Sequence, residues 1–259
     1  MRIISGEFRH RRIEAPPEGV STRPIPDRIK ESLFGILRGN CEGASVVDCF
    51  AGTGAIGLEA ISRGAARCVF VEQDKVMARV LERNVETLGA GDRSEVVCAD
   101  ALGAGALARF PRPIDLAFFD PPYPMMEDAL ACRRIMAQLA ATIALLSDQG
   151  FAILRTPWPL LRRAAAAPAT PGEVAPEPRR FKKPPRNDWK RRLSRGEPIE
   201  DIETIDLGDG DESFELPADD AAPPPKPVEV ELKIPGAAGP ETHVYGGMAI
   251  HLYMRARNA

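Results

Sequence analysis

The sequence lacks the usual marks of secreted, metal-binding and membrane-spanning proteins. Its five cysteines include no C-x-x-C pair, so the pattern indicates neither a metal site nor a disulfide framework. No stretch approaches the roughly eighteen uninterrupted apolar residues that a membrane span needs, and residues 1–9 contain no apolar signal core. We therefore expect a cytoplasmic protein with reduced thiols, without a metal and without a membrane partner.

A net positive charge is also missing, since 34 Lys and Arg residues stand against 37 Asp and Glu residues. This average gives no indication of a nucleic-acid partner. The distribution of charge differs from the average, because residues 1–38 contain eight Lys or Arg and only five Asp or Glu. Any contact with nucleic acid is therefore expected to be local.

Residues 1–14 alternate apolar and basic side chains around a Ser-Gly pair, which predicts a small hairpin with a basic face. A solvated edge ribbon would have the same composition. An extended X-Pro stretch follows, and then a helix that Asp27 would cap, with Lys30 adding to the positive charge. The candidate phosphate contacts in this N-terminal arm are Arg9, Arg11, Arg12, Arg23 and Arg28.

Proline and charge are concentrated in residues 159–227. A basic block at 179–195 has nine Lys or Arg and one Asp, and an acidic block at 197–220 has eleven Asp or Glu and no Lys or Arg. Such segments cannot bury enough apolar surface to fold alone. We predict a disordered insert, whose basic block is a second candidate RNA contact, and a sheet that resumes at 228–234 and 247–253.

The rest of the chain alternates short apolar runs with helical patterns, which predicts a doubly wound α/β fold. Helices are expected through 76–88 and about 127–146. The runs expected to form parallel strands are 45–50, 67–72, 94–100, 114–120 and 150–155. With the two strands after the insert the sheet would have seven, the last of them antiparallel.

A glycine-rich loop follows the first strand. Gly52, Gly54 and Gly57 satisfy the pattern G-x-G-x-x-G, and Glu72 stands twenty residues after Gly52. Such a loop leaves backbone N–H groups open to a nucleotide-like ligand. Taken alone, the pattern is typical of dinucleotide binding.

Asp48 favours a different ligand. It lies at the carboxyl end of the first strand, aimed into the loop, where it would repel a pyrophosphate. S-adenosylmethionine instead carries an ammonium and a sulfonium, and the spacing of Asp48, Phe50, Gly52 and Gly54 resembles the first motif of class I methyltransferases. The cofactor-binding residues predicted on this interpretation are Asp48, Phe50, Gly52, Gly54, Glu72 for the ribose hydroxyls, and Asp100 with Ala101 near the adenine.

A second motif, Asp120-Pro121-Pro122-Tyr123, follows the fourth strand. Methyl transfer to an exocyclic amine is difficult because the lone pair of the nitrogen is delocalised into the ring. Hydrogen bonds from the amine to the Asp120 carboxylate and the Pro121 carbonyl would draw the nitrogen toward tetrahedral geometry. The prolines stiffen the loop, and Tyr123 can stack on an extruded base, which is worth about 1–3 kcal/mol.

Together these motifs resemble those of the RsmD family, which methylates N2 of a guanine in small-subunit (16S) ribosomal RNA. The stretches that carry the resemblance are Arg2-Ile-Ile-Ser-Gly6, Arg23-Pro24, Asp27-Arg-Ile-Lys-Glu-Ser-Leu-Phe34, Asp48 through Gly64, and Asp120-Pro-Pro-Tyr123. The resemblance covers about 1–158 and 228–259 and departs at 159–227, where the family is much shorter. It implies S-adenosyl-L-methionine as cofactor and rRNA as partner, within a small-subunit assembly intermediate.

We accordingly expect a monomer with three parts: an RNA-contacting N-terminal segment at 1–38, a methyltransferase domain at 39–158 with 228–259, and the insert at 159–227. Two alternatives remain. An adenine-N6 DNA methyltransferase could carry the second motif, but it would need a target-recognition domain, which a disordered insert cannot supply. A non-catalytic RNA-binding assembly factor would not need Asp120 and Tyr123.

Overall fold

A seven-stranded sheet forms the centre of the part of the chain that the computed structural model describes, residues 1–17, 25–162 and 228–256. The parallel strands are Ser45–Cys49 (β1), Arg67–Glu72 (β2), Ser94–Cys98 (β3), Ile114–Phe119 (β4) and Leu146–Pro157 (β5). A separate two-stranded ribbon pairs Leu161–Arg162 (β6) with Val228–Glu229 (β7), and the main sheet is completed by Ala237–Tyr245 (β8) and Met248–Arg255 (β9).

The strand order of the main sheet is β3-β2-β1-β4-β5-β9-β8, and β9 is antiparallel to both of its neighbours. The structure thus confirms the predicted α/β fold of class I methyltransferases, with seven strands and an antiparallel last strand. The order reverses between β1 and β4. In open parallel sheets, ligands bind at the carboxyl ends of the strands beside such a reversal.

Helices cover both faces of the sheet. They are Asp27–Ile36 (α1), Gly57–Ser62 (α2), Lys75–Leu88 (α3), Ala104–Arg109 (α4), Tyr123–Glu127 (α5) and Ala129–Ile143 (α6). Side chains of α1 to α3 share one core with Val46 of β1, whereas those of α4 to α6 share the other with Val47, because successive strand residues face opposite sides. Among the described helices, none combines the length and the apolar content that crossing a membrane would take.

The prediction of a strand at 228–234 is wrong for most of that range. Only Val228–Glu229 is a strand, and it pairs with β6 instead of the main sheet. The residues that follow keep their alternating apolar pattern but cover the second core, where the Tyr253 hydroxyl donates to the Leu232 carbonyl at 2.9 Å. The strand that joins the sheet is β8. Its Gly239-Pro240 pair is a sequence pattern that usually interrupts a strand. An edge strand tolerates this pair because its outer side needs no partner.

The beginning of the predicted insert belongs to the described fold. Leu160 is buried against the second core, and β6 follows it. The rest of the predicted insert, residues 163–227, lies outside the described residues together with both charged blocks.

The N-terminal arm makes one antiparallel bridge, between Arg2 and Arg12, in place of the two strands of a full hairpin. The loop inside this bridge docks on α2, where the Glu7 N–H donates to the Ser62 carbonyl at 2.7 Å. Gly6 has a φ of +84°, and a Cβ there would lie 1.7 Å from the same carbonyl oxygen. Glycine is therefore required for the arm to approach the helix this closely.

A buried carboxylate anchors the same arm. Glu59 of α2 is inaccessible to solvent, accepts the N–H groups of Ile4 at 2.8 Å and Ser5 at 3.0 Å, and pairs with Lys30 at 3.4 Å and Arg63 at 2.8 Å. Lys30, which the sequence counts toward the positive charge of the arm, is 1% exposed and so adds no charge to its surface. Burial lowers the pKa of Lys30, and the neighbouring Glu59 raises it.

Asp27 does not cap α1 as predicted. Pro26 occupies the N-cap position without a side-chain hydrogen bond, and Asp27 is the first residue of the helix. Its carboxylate accepts instead from Arg2 Nε at 2.9 Å. This exposed ion pair is a second connection between the arm and α1.

Candidate active site

A cleft of about 710 Å³ opens where β1, β2 and β4 end, beside the reversal of strand order. This volume is within the usual range for ligand sites, roughly 300–1,000 Å³. The cleft brings together nine of the predicted site residues: Asp48, Phe50, Gly52, Glu72, Ala101, Asp120, Pro121, Pro122 and Tyr123. The structure does not place Gly54 or Asp100 on its walls.

Asp48 lies deep in the cleft and is 1% exposed. Its carboxylate accepts the Gly57 N–H at 2.8 Å, which ties the end of β1 to the start of α2. Burial raises the pKa of Asp48 to about 8; the Gly57 hydrogen bond lowers it, and the charges of Asp120 and Glu72 raise it further. A cationic ligand would restore the ionised form, whereas an anionic ligand would not.

The three glycines of the loop have different roles. Gly52 has a φ of +55°, and a Cβ there would meet only one side-chain carbon, at 3.9 Å, so the left-handed backbone is what favours glycine. A Cβ at Gly54 would lie 2.3 Å from Leu81, and one at Gly57 would lie 2.3 Å from Phe70. Gly54 and Gly57 therefore permit close packing, and Gly52 borders the cleft.

Phe50 forms part of the cleft wall in an unusual backbone conformation. Its φ is +61°, which a bulky residue rarely adopts and which costs on the order of 1–3 kcal/mol. The ring packs edge-on against Phe119, with 6.5 Å between the ring centroids. This contact helps to hold the strained residue at the junction of β1 and the glycine loop.

Glu72 connects two loops of the cleft. One carboxylate oxygen accepts the Gly52 N–H at 2.8 Å and the other accepts the Asp74 N–H at 2.8 Å. A carboxylate has about four lone-pair directions. Glu72 can therefore accept further hydrogen bonds from a pair of ligand hydroxyls without releasing either loop.

Asp100 and Ala101 separate in the structure. Ala101 is buried and lines the cleft. The Asp100 carboxylate accepts the Leu102 N–H at 2.9 Å and pairs with Arg134 at 2.9 Å on the exposed side of the loop. Both oxygens of Asp100 thus have protein partners outside the cleft.

Asp120 and Tyr123 lie where β4 passes into α5. The Asp120 side chain is 15% exposed, and its Oδ1 accepts from Arg155 Nε at 2.5 Å. Burial raises the pKa of Asp120, and the adjacent Arg155 lowers it. Pro122 occupies the N-cap position of α5 and Tyr123 is the first residue of that helix, so the two prolines hold the acid and the aromatic ring at opposite ends of a stiff tetrapeptide.

The charge of the cleft argues against a dinucleotide. Besides Asp48, whose carboxyl ionises readily only beside a cation, its lining residues include the acids Glu72, Asp74 and Asp120 and one basic side chain, Arg155. Such a surface repels a pyrophosphate and attracts a cation. Within residues 1–17, 25–162 and 228–256, no group of His, Cys, Asp and Glu side chains is arranged to hold a metal ion.

Comparison with known proteins identifies the family of this chain. The family described as Conserved hypothetical protein 95 matches residues 1–160. The chain is 38% identical over 151 residues to Ribosomal RNA small subunit methyltransferase D of Escherichia coli K12, and the match covers 58% of this chain and 69% of that protein. The chain belongs to the RsmD family.

Other relatives extend the comparison. Ribosomal RNA small subunit methyltransferase D of Haemophilus influenzae is 36% identical over 125 residues, which cover 48% of this chain and 64% of that protein. A solved structure of the yhhF protein of Escherichia coli has a TM-score of 0.59 at 24% identity, covering 98% of this chain and 97% of that chain. The chain is therefore a methyltransferase by family, and the structural match agrees in fold.

The arginines predicted to bind RNA differ in their surroundings in this RsmD-family structure. Arg9, Arg12 and Arg28 are exposed, and none of them forms an ion pair with a described residue. Arg11 instead donates to the Leu88 carbonyl at 3.0 Å and to the Thr87 carbonyl, at the carboxyl end of α3. Arg23 lies outside the described residues.

Sequence reasoning missed Arg155, the partner of Asp120. The signal was available, because a charged residue ending an otherwise apolar parallel strand is expected at the ligand-binding edge of the sheet. The anchoring role of Glu59 had no comparable signal. Its partners Ile4, Lys30 and Arg63 come from three separate parts of the chain.

Proposed function

We propose that this chain transfers a methyl group from S-adenosylmethionine to the exocyclic N2 of a guanine in small-subunit ribosomal RNA. The observation that carries the proposal is that Asp120 and Tyr123 share one acidic cleft with Asp48 and Glu72. A cationic methyl donor and an amine acceptor can therefore meet there. The names of the relatives from Escherichia coli and Haemophilus influenzae support the choice of rRNA as the substrate.

The residues present fit the cofactor. The buried Asp48 carboxyl is poised to ionise next to a cation, and Glu72 has acceptor capacity left for the ribose hydroxyls. Gly52 leaves one side of the loop free of a side chain, and Ala101 offers an apolar surface for an adenine. The cofactor would supply an electrophilic methyl group on a sulfonium.

On the substrate side, Asp120 would act on the amine. Its Oδ1 is held by Arg155, which leaves Oδ2 to accept an amine N–H, while the Pro121 carbonyl accepts the other. Asp120 would also be the first acceptor of the proton that the nitrogen loses once it carries the methyl group from the sulfonium. Tyr123 would stack on the extruded base.

The N-terminal arm would bind the RNA. Met1, Pro16 and Ile25 line the same cleft, so the arm and the segment that leads into α1 border it. The exposed Arg9, Arg12 and Arg28 belong to these elements. We propose residues 1–38 as the RNA-contacting part and 39–158 with 228–259 as the methyltransferase domain, acting in the cytoplasm on a small-subunit assembly intermediate.

The proposal is tested with rRNA from a strain in which the gene is deleted. This rRNA, free or in small-subunit particles, is incubated with the purified chain and labelled S-adenosylmethionine, and nucleosides are identified by mass spectrometry. We expect N2-methylguanosine to appear. Methylation of adenine or cytosine, or no methylation of either substrate, would refute the proposal.

A matched pair of variants tests the assigned acid. Asp120→Ala should reduce methyl transfer by about 100-fold or more while the affinity for the cofactor changes little. Asp148→Ala is the control. Asp148 also pairs with an arginine, Arg255, but it lies near the amino end of β5, whereas Arg155, the partner of Asp120, lies near the carboxyl end. An Asp120→Ala enzyme with near-normal turnover would exclude the role proposed for this carboxylate.

A further inference from the structure

Arg155 is a buried cation at the carboxyl end of β5. It is 8% exposed, and it is the only Lys or Arg side chain among the described residues that line the cleft. Burying a guanidinium is unfavourable unless its charge is paired and its N–H groups are used. Its position therefore calls for an explanation in terms of its partners.

Those partners are the two ends of the Asp120-Pro121-Pro122-Tyr123 motif. Arg155 Nε donates to Asp120 Oδ1 at 2.5 Å. The centre of the guanidinium lies 5.7 Å from the centroid of the Tyr123 ring, which is within the range of a cation–π contact. One side chain on β5 thus touches both of the groups that are proposed to hold the substrate base.

The contact with Asp120 leaves the carboxylate half used. Oδ1 is occupied by Arg155, so Oδ2 is the oxygen available to an incoming amine. The contact with Tyr123 places the guanidinium over the ring. Arg155 therefore touches both groups from β5.

Arg155 also opposes the charges around Asp120. The other titratable groups of the cleft lining are the carboxyls of Asp48, Glu72 and Asp74 and, on the arm, the terminal amine of Met1. Burial disfavours an ionised Asp120, whereas the adjacent guanidinium favours it. An ionised Asp120 is the form that accepts an amine hydrogen.

We propose that Arg155 is a positioning residue of the methyl-transfer site: it keeps Asp120 ionised with Oδ2 toward the substrate and braces one face of Tyr123. This inference rests on the proposed function, because it assigns a purpose to the geometry of the acceptor amine. Arg155 itself does not touch the reacting atoms. A purely structural ion pair would stabilise the fold without affecting the titration of the reaction.

The test compares Arg155→Met, Arg155→Lys and the control Arg255→Met, which removes an exposed arginine that pairs with Asp148. For each folded variant we measure kcat, KM for rRNA, Kd for S-adenosylmethionine and the pH profile of kcat/KM. Arg155→Met should lower kcat by about 100-fold, leave the cofactor Kd within a few-fold, and move the acid limb upward by about one pH unit or more. The control should match the wild type.

Arg155→Lys keeps the charge but loses the planar fork. We expect its acid limb to stay near that of the wild type while kcat still falls about tenfold. If Arg155→Met does not fold, the lysine variant alone decides, and a wild-type kcat in it would overturn the inference. In folded Arg155→Met, an unchanged acid limb with kcat within threefold of the wild type would do the same.

A separate readout distinguishes this inference from the proposed function. The carboxyl titration of Asp120 is followed by NMR in wild type and Arg155→Met, with no rRNA present. A pKa of Asp120 that rises in the variant supports the effect of Arg155 on Asp120, whatever the wild-type chain methylates. An unchanged pKa contradicts it even if the wild type is fully active.

Discussion

Replacing Asp48 with asparagine should stabilise the ligand-free protein at neutral pH and at the same time weaken cofactor binding. The substitution is nearly isosteric, and an asparagine oxygen can still accept the Gly57 N–H that Asp48 accepts at 2.8 Å. What it removes is a buried carboxyl that must remain protonated or be ionised at a high cost. Residues that serve ligand binding commonly reduce the stability of the ligand-free protein in this way.

The magnitude follows from the pKa. In the unfolded chain Asp48 titrates near 3.8, whereas burial raises its pKa in the fold to about 8. Between these values only the unfolded chain loses the proton, so the contribution of Asp48 to stability falls as pH rises through this window and is constant above it. At pH 7 this amounts to about 4 kcal/mol at most. The new amide N–H groups need partners at a cost of about 1–3 kcal/mol, so we expect a net gain of about 1–3 kcal/mol.

The assay is urea unfolding of wild type and Asp48→Asn at pH 4, 5.5, 7 and 8, with Asp48→Ala as the control that leaves the Gly57 N–H without an acceptor. The free energy of unfolding of Asp48→Asn relative to that of the wild type should increase from pH 4 to pH 8. Its affinity for S-adenosylmethionine, measured by calorimetry, should fall at least about tenfold because a charge-assisted contact is lost. A variant that is less stable than the wild type by an amount independent of pH would refute the reasoning.

Three further predictions concern the arm and the sheet. Arg12→Ala combined with Arg28→Ala should weaken rRNA binding and reduce the slope of log affinity against log salt by about two, measured by filter binding; an unchanged slope would exclude both as phosphate contacts. Arg11→Ala should instead lower the unfolding free energy by about 1 kcal/mol, because Arg11 donates hydrogen bonds to the last carbonyls of α3. Urea unfolding measures this loss. Weaker RNA binding without a loss of stability would show that Arg11 contacts RNA instead. Burial lowers the pKa of His251 to about 4, so the stability it contributes is present above its ordinary pKa of 6.5 and is lost as pH falls toward 4. Thermal unfolding of His251→Gln should accordingly show a smaller acid loss than the wild type, and equal losses would contradict this.

Much of the fold and nine of the residues that line the cleft could be predicted from sequence because their signals are local. A buried strand, a glycine turn and a helix succeed one another within residues 45–61, and Asp120 directly follows a strand. The carboxyl ends of parallel strands must meet at one edge of the sheet. The sequence therefore places Asp48, Glu72 and Asp120 at one edge of the sheet, and the strand order in the structure brings them into one cleft.

The sequence could not show which partners the charged side chains of the arm would choose. Lys30 and Arg11 belong to a basic segment by composition. In the structure Lys30 is buried against Glu59, and Arg11 donates to a carbonyl at the carboxyl end of α3. Edge strand β8 was missed for a related reason, since its Gly239-Pro240 pair is compatible with a strand only at the edge of a sheet. In each case the outcome depends on burial and on elements distant in the chain.

The sequence by itself therefore determined the buried strands, the glycine loop with Asp48 and the Asp120-Pro121-Pro122-Tyr123 motif, because these depend on neighbours within a few residues. Only the tertiary structure decided that Arg155 supports Asp120 and Tyr123, that Glu59 anchors the arm, and that Asp48 is buried deeply enough to titrate near pH 8. The physical reason is that ionisation and pairing depend on the solvent removed and the charges brought close. Both are set when distant segments pack together.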